Sequence, residues 1–345
     1  MKVNVISDSV LYPKGFGGMH SSFLNHVTLL KKQKISVEIN SFNPADIVHI
    51  HTLGPLGLYH LVSGHHPKVV SAHVIPSTFS GTLVGDEIWG KLTVPLLRHY
   101  FNLADMVISV GHVAKKELRA IGVSKPITII PNTVDNTIFR KNPILRKRMR
   151  KKYGFKENDI IILGAGQLQT RKGINTFFEV AKKLPRYKFV WVGGTFKYLT
   201  HQNKLVKKNI QERTENVILL DPVLYKEMPA LYNMADICFF PSFQETSGLV
   251  IIEAAACGLP LVLRDLPEYK KLYTKGYLAG KNSLGFRTQI QKLVMDKKLY
   301  TDMILESSRL ANMFSMENQK HVLLQSYNKL LHQYSPKTLN IISGN

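Results

Sequence analysis

Two carboxylates bracket a run of small residues late in the chain, in FFPSFQETSGLVIIEAAACGLPLVL. Glu245 precedes Thr246, Ser247, Gly248 and Leu249, and Glu253 follows Glu245 by eight residues. The apolar run ending at Pro241 reads as a strand, and the pattern predicts a helix starting over Thr246–Gly248. Free backbone N–H groups at a helix start donate to phosphate oxygens. A carboxylate accepts hydrogen bonds from vicinal hydroxyls, which ribose and hexose both offer. With one acid before the amides and another a little over two turns on, the element suits a sugar joined to a diphosphate. The plainer alternative is a capped helix carrying two unrelated glutamates. Ala254, Ala255 and Ala256 would let that helix pack closely.

A second element opens the same half of the chain: IIILGAGQLQTRKGINTFFEVAKKL. Gly164, Gly166 and Gly173 punctuate a strand-to-helix crossing, with Gln167 between them. Arg171 and Lys172 stand just before the helix. Two cations beside unpaired helix-start amides suit a diphosphate, the alternative being a solvated helix start.

The first half carries weaker signals. Gly15, Gly17 and Gly18 follow the first apolar run, before a helix near Met19. Such a turn can admit a phosphate or a sugar oxygen, or be only a turn. Its spacing does not match the dinucleotide fingerprint. His49 and His51 alternate along an apolar run, but no Cys or carboxylate joins them at a ligand spacing, so no metal site is expected. His73 closes the strand of VVSAHVIPS, where either a ligand contact or a structural histidine fits.

These loops need strands to hold them. Strands are predicted at Val3–Ser7, Ser36–Ile39, Ile47–His51, Lys68–Ala72, Met106–Val110 and Thr128–Ile130, then at Ile160–Ala165, Lys188–Val192, Val217–Leu220, Ile237–Pro241 and Leu261–Leu263. Near-continuous apolar strands alternating with helices imply parallel sheets covered on both faces. Two such series imply two doubly wound α/β domains facing each other, with ligands at the carboxyl ends of the strands. The expected division is residues 1–140 as an N-terminal acceptor-binding domain, 141–158 as a basic linker and helix, and 159–315 as a C-terminal nucleotide-sugar domain. Residues 316–335 are expected to form a helix turning back towards the first domain, and the last residues to fray.

Composition agrees with a folded soluble protein: 345 residues, 44% apolar and 20% charged. Two cysteines, Cys238 and Cys257, exclude a disulfide-built scaffold and fit a reducing cytoplasm. Neither a membrane-spanning helix nor a signal-peptide core is expected. Net charge is +22, and RKNPILRKRMRKKYGFK at 140–156 supplies nine basic residues and no acid. Asn142 and Pro143 suit its start as a helix, Gly154 its end, with Leu145, Met149 and Tyr153 along one stripe. The segment is either a solvated helix anchored by that stripe or a contact to an anionic membrane surface. The charge also attracts nucleic acid, yet no RNA platform, zinc knuckle or helix-turn-helix accompanies it.

The Glu245-x7-Glu253 element and GAGQLQTRKG resemble the family 4 retaining glycosyltransferases of the GT-B fold. DIVHIHT at 46–52, ADMVISV at 104–110 and IPNTVDNTIF at 130–139 extend the likeness over about residues 1–335. VVSAHVIPSTFSGTL, KFVWVGGTF and VLRDLPEYKKLY resemble bacterial enzymes that add a hexose to glucosyl-diacylglycerol. The sequence contains no Asp-x-Asp triplet, which agrees with GT-B.

The resemblance implies a retaining transfer of a hexose from a UDP-sugar to a membrane glycolipid. The enzyme would sit peripherally on the inner face of the cell membrane, need no cofactor or obligatory metal, and bind no nucleic acid. It implies catalytic roles for His73, Glu245, Arg171 and Lys172, with His73 over the donor sugar and Glu245 on its hydroxyls. Glu253 would hold the ribose. The amides of Thr246, Ser247, Gly248 and Leu249, with Gln167, would meet the diphosphate, and Gly17 and Gly18 would line the cleft floor. Gln167 stands where many relatives carry Arg, and Ser247 where Phe is common. Relatives acting on a lipopolysaccharide, a capsule precursor or a small metabolite share these motifs, so the acceptor stays open at this level.

Overall fold

The computed structural model describes residues 1–11, 17–64, 66–79, 86–194 and 204–334. Gly15 and the C-terminal residues expected to fray lie outside them. The strands are β1 (Lys2–Ile6), β2 (Ser36–Ile39), β3 (Ile47–Ile50), β4 (Lys68–Ala72), β5 (Met106–Ser109) and β6 (Ile127–Ile129), then β7 (Ile161–Ala165), β8 (Lys188–Val192), β9 (Val217–Leu220), β10 (Ile237–Phe240), β11 (Leu261–Arg264) and β12 (Leu278–Gly280). They form two six-stranded sheets, ordered β2-β1-β3-β4-β5-β6 and β12-β11-β10-β7-β8-β9. Every pairing between these strands is parallel. β12 has no counterpart among the sequence expectations, because LAG offers no β-branched run.

The helices are α1 (Gly18–Lys32), α2 (Pro55–Val62), α3 (Pro76–Phe79), α4 (Asp86–Asn102), α5 (His112–Ala120), α6 (Pro143–Lys152) and α7 (Ile174–Lys183). They continue with α8 (Lys204–Gln211), α9 (Met228–Met234), α10 (Leu249–Ala256), α11 (Pro267–Leu272), α12 (Ser283–Met295), α13 (Lys297–Met313) and α14 (Met316–Gln333). Each sheet is covered on both faces. Leu97, Phe101, Ala114 and Leu118 pack on one face of the first sheet. Phe23, Val27 and Leu30 pack on the other. That double cover explains why β3, β7 and β10 are buried at every position.

In each sheet the strand order reverses at one place, between β1 and β3 in the first and between β7 and β10 in the second. Crevices open at such reversals, at the carboxyl ends of the strands. The glycine turn and His51 follow β1 and β3; the Gln167–Lys172 and Ser242–Gly248 loops follow β7 and β10.

The chain crosses back at its end. Met316, Leu323, Tyr327 and Leu330 of α14 are buried against Val3, Val5 and Phe23 of the first domain. At the crossing, the Val134 amide donates to the Phe314 carbonyl at 2.9 Å and the Met316 amide to the Val134 carbonyl at 3.3 Å.

α6 is the basic helix, capped by Asn142 Oδ1, which accepts from the Leu145 amide at 3.1 Å. Two of its cations are not a solvated fringe. Arg146 and Arg150 each reach Asp236, at 2.7 and 2.8 Å. Arg150 is buried and donates to the carbonyls of Met234, Lys156, Glu157 and Asp159. Both expectations for this segment treated its Arg and Lys residues alike. The structure divides them into two internal ties and an exposed set comprising Arg140, Lys141, Lys147, Arg148, Lys151, Lys152 and Lys156.

Candidate active site

The β7 and β10 loops are stitched together. Gly173 takes a left-handed φ of 76°, and a Cβ there would strike the Pro241 carbonyl, so only glycine lets the two loops approach. A short 3-10 turn, Thr170–Lys172, precedes α7. Its Arg171 carbonyl accepts from the Phe243 amide at 2.8 Å, and Arg171 Nη1 donates to the Gln244 carbonyl at 3.1 Å. Lys172 forms a tight ion pair with Glu245, whose Oε1 also accepts from Ser242 Oγ at 2.9 Å. Arg171, Lys172 and Glu245, distant in sequence, are thus one cluster. Burial lowers the Lys172 pKa, although Glu245 opposes the shift.

α10 starts later than the sequence pattern suggested. Its first residue is Leu249 and its cap is Gly248 with φ 60°, so Thr246 and Ser247 belong to the loop. Glycine's left-handed freedom lets the chain turn into the helix after Ser247 rather than before it. Among the described residues, the amides of Thr246, Ser247, Gly248 and Leu249 have no hydrogen-bond partner. Four unpaired donors beside Arg171 and Lys172 form a concentrated anion-binding patch. Ser247 is buried, and its carbonyl accepts from the Tyr273 hydroxyl.

Glu253 sits one turn inside α10, buried, and accepts from Tyr232 Oη at 2.8 Å. Burial raises its pKa to about 7, with the Tyr232 hydrogen bond pulling the other way. Gln167 is half-buried beside this patch in sequence. Gln169 was not singled out from sequence, yet it is buried with both amide atoms unpartnered, as is Arg171 Nε. A second glutamine inside GQLQTRKG was the available signal. Unpartnered buried polar atoms carry a penalty that a polar ligand would relieve.

The first domain faces this patch. A Cβ at Gly111, the cap of α5, would meet Glu268 Oε1 and lie 3.0 Å from the Thr246 carbonyl. Tyr225 Oη donates to Asn25 Oδ1 of α1 at 2.5 Å, joining the domains at a second point. Gly17 and Gly18 cap and open α1, and a Cβ on either would meet open space within 4 Å. His73 lines a cavity of about 50 Å³ with Ser22, His26, His49, His51 and Ser71. It stands on the first domain, apart from the Arg171–Glu245 cluster on the second.

The fold and this geometry agree with comparisons to known proteins. A profile described as Glycosyl transferases group 1 matches residues 146–309, and one described as Glycosyltransferase Family 4 matches residues 12–137. The chain belongs to the family 4 glycosyltransferases. It is 27% identical to alpha-galactosylglucosyldiacylglycerol synthase of Streptococcus pneumoniae over 95% of this chain and 90% of that protein. It is 26% identical to processive diacylglycerol alpha-glucosyltransferase of Acholeplasma laidlawii, over 96% of this chain and 99% of that protein. Among solved structures, Anabaena HepE in complex with UDP-glucose superposes with a TM-score of 0.76 at 17% identity, covering 95% of this chain and all of that one. Sucrose-phosphate synthase of Thermosynechococcus elongatus gives 0.78 at 16% identity, covering 96% and 99%. These likenesses establish the GT-B fold for this glycosyltransferase, a hexosyltransferase that uses a nucleotide sugar.

Proposed function

We propose that this glycosyltransferase moves a hexose from UDP-glucose or UDP-galactose to a glycolipid such as glucosyl-diacylglycerol, at the cytoplasmic face of the membrane and with retention at the anomeric carbon. The observation that carries the reading is the patch of four unpaired amides beside Arg171 and Lys172, flanked by Glu245 and Glu253. The two glycolipid-synthesising relatives support the acceptor class.

As the anomeric C–O bond breaks, negative charge grows on the β-phosphate. Fixed amides and cations stabilise that charge more in the transition state than in the ground state, which is the condition for catalysis. The acceptor oxygen bonds to the anomeric carbon, and its proton passes to the departing diphosphate. Arg171 and Lys172 supply the positive charge, so no obligatory metal has a part in this scheme. Glu245 and His73 contact the sugar, Glu253 the ribose, and closure of the domains excludes water. The deciding experiment offers labelled UDP-glucose and UDP-galactose with diacylglycerol or glucosyl-diacylglycerol, and reads product mass and linkage. Transfer only to a water-soluble acceptor would overturn the lipid reading.

Two expectations follow from the charges. Ribose hydroxyls donate to an ionised carboxylate, so donor binding favours the ionised Glu253 and expels its proton. Raising the pH through about 7 should therefore tighten UDP binding, by about tenfold from pH 6 to pH 8. Calorimetry in buffers of different ionisation enthalpy would register the proton release, and Glu253→Gln should flatten the dependence. A dependence that survives in Glu253→Gln would remove the carboxylate from the ribose site. The exposed basic residues around α6 should make vesicle binding depend on lipid charge, each adding roughly 1 kcal/mol at an anionic surface. Salt should release the protein. Equal sedimentation with neutral and anionic vesicles would dismiss the electrostatic contact. No described helix is long and apolar enough to cross a membrane.

A further inference from the structure

Behind His73 lies a run of side chains that the transfer scheme leaves unexplained. His51 Nδ1 is 3.2 Å from His73 Nε2, and His51 Nε2 is 2.5 Å from His26 Nδ1. His26 Nε2 is 2.9 Å from Tyr327 Oη, which is 2.5 Å from His49 Nδ1. His49 Nε2 ends the run on Ser71 Oγ at 2.8 Å. His26, His49, His51 and Tyr327 are all buried.

Three of these rings place ligating nitrogens within 4.8 Å of one another, as a metal site would. Hydrogen bonds account for them better. All six ring nitrogens of His26, His49 and His51 already have partners. Two nitrogens 2.5 Å apart are too close to share an ion at about 2.0–2.1 Å with tetrahedral angles. Nor, among the described residues, does any carboxylate touch the group to balance a cation's charge. Burial keeps the rings neutral: it lowers His26 to about 3 and His73 to about 4, and holds His49 and His51 well below the usual histidine range.

A neutral imidazole has one donor and one acceptor nitrogen, so polarity passes through each ring in one direction. One end of the run sets that direction. Ser22 Oγ donates to Asn132 Oδ1 at 2.9 Å, which leaves the same oxygen as an acceptor towards His73 Nε2, 3.5 Å away. A proton on His73 Nε2 then serves both neighbours as a three-centre bond, His51 Nδ1 at 3.2 Å being the nearer acceptor, whereas the reverse polarity would set two acceptors, Ser22 Oγ and an unprotonated Nε2, against each other. From there, His73 donates to His51, His51 to His26, His26 to Tyr327, Tyr327 to His49, and His49 to Ser71. The Nδ1 of His73 is left with a lone pair, matched to a sugar hydroxyl.

We propose that this one-way chain fixes the tautomer and ring orientation of His73, making His51, His26 and Tyr327 positioning residues for the transfer. Tyr327 belongs to α14, so the last described helix acts on a residue that directly follows β4. The inference rests on the reading of His73 as a donor-sugar contact.

The test compares His73→Ala, His51→Leu, His51→Gln and Tyr327→Phe for kcat and donor KM. It adds 15N NMR of the imidazoles and metal analysis of the purified wild-type protein. A glutamine amide accepts at oxygen and donates at nitrogen, so it preserves the direction of the chain, whereas leucine fills the space without it. His51→Leu and Tyr327→Phe should lower kcat at least about tenfold with donor KM within about twofold. His51→Gln should recover most of the activity, and wild-type His73 should show the Nε2–H tautomer. Wild-type kinetics in His51→Leu, an Nδ1–H tautomer at His73, or stoichiometric bound metal would each overturn the chain. Should His73→Ala leave kcat unchanged, it is the placing of His73 at the sugar that fails. The NMR tautomer still judges the chain by itself, and also covers a leucine variant that does not fold.

Discussion

Replacing Lys172 with alanine is expected to lower turnover by roughly 10²–10³-fold, the range seen when one preorganised donor to a developing oxyanion is removed. Lys172 is mostly buried, and its ammonium faces Glu245. Water cannot take its place without reorganising, so the missing charge is not replaced during the reaction. The change also strands the Glu245 carboxylate, a second penalty that must be separated from the first. A double variant with Glu245→Gln, read against Glu245→Gln alone because Glu245 itself meets the sugar, isolates it. If the phosphate role holds, the double variant stays slow in kcat while regaining the stability that Lys172→Ala alone loses. Turnover in the double variant equal to that of Glu245→Gln alone would show that Lys172 serves only to neutralise Glu245. Arg171→Ala should be milder, because that guanidinium is partly held by the Gln244 carbonyl.

The largest stability effect is expected at Asp236, at the opposite end of β10 from the Ser242–Gly248 loop. Its carboxylate takes Arg146, Arg150 and the Ile161 amide, the last at 2.7 Å. Asp236→Ala leaves the buried Arg150 cation uncompensated, at a cost of about 3–5 kcal/mol. Urea unfolding should show the midpoint fall with an unchanged slope. Asp236→Asn should fall between, since it keeps an acceptor but not the charge. A loss under about 1 kcal/mol would mean that Arg150 is satisfied by its four carbonyls alone. The same change should slacken β10, which starts one residue later and ends at the Ser242–Gly248 loop.

Much of this was legible beforehand. Eleven of the strands lie within one residue, at each end, of where apolar runs and turn residues placed them, because strands buried on both faces leave an unbroken hydrophobic signal. The acidic pair and the Arg–Lys pair were readable as well, since their chemistry depends on residue type and spacing. What spacing could not show was contact between the two motifs. The Lys172–Glu245 pair spans 73 residues, and only the strand order β10-β7 makes those loops neighbours. The start of α10 lies later than the pattern suggests because Gly248 takes a left-handed cap, which residue type permits but does not announce. Arg150 looked like surface charge, since a basic run carries no mark of which member turns inward. His26 carries no signal in the sequence because its partners come from the residue after β3 and from a helix some 300 residues on.

The return of α14 to the first sheet has a consequence for how the molecule is made. Domains usually fold in the order in which they leave the ribosome. Here the lobe translated first lacks Met316, Leu323, Tyr327 and Leu330 until the second lobe has been made, so one flank of its sheet stays uncovered while the later lobe completes itself. The nascent first lobe must wait with an apolar surface open, a window in which a chaperone, or the membrane itself, could hold it.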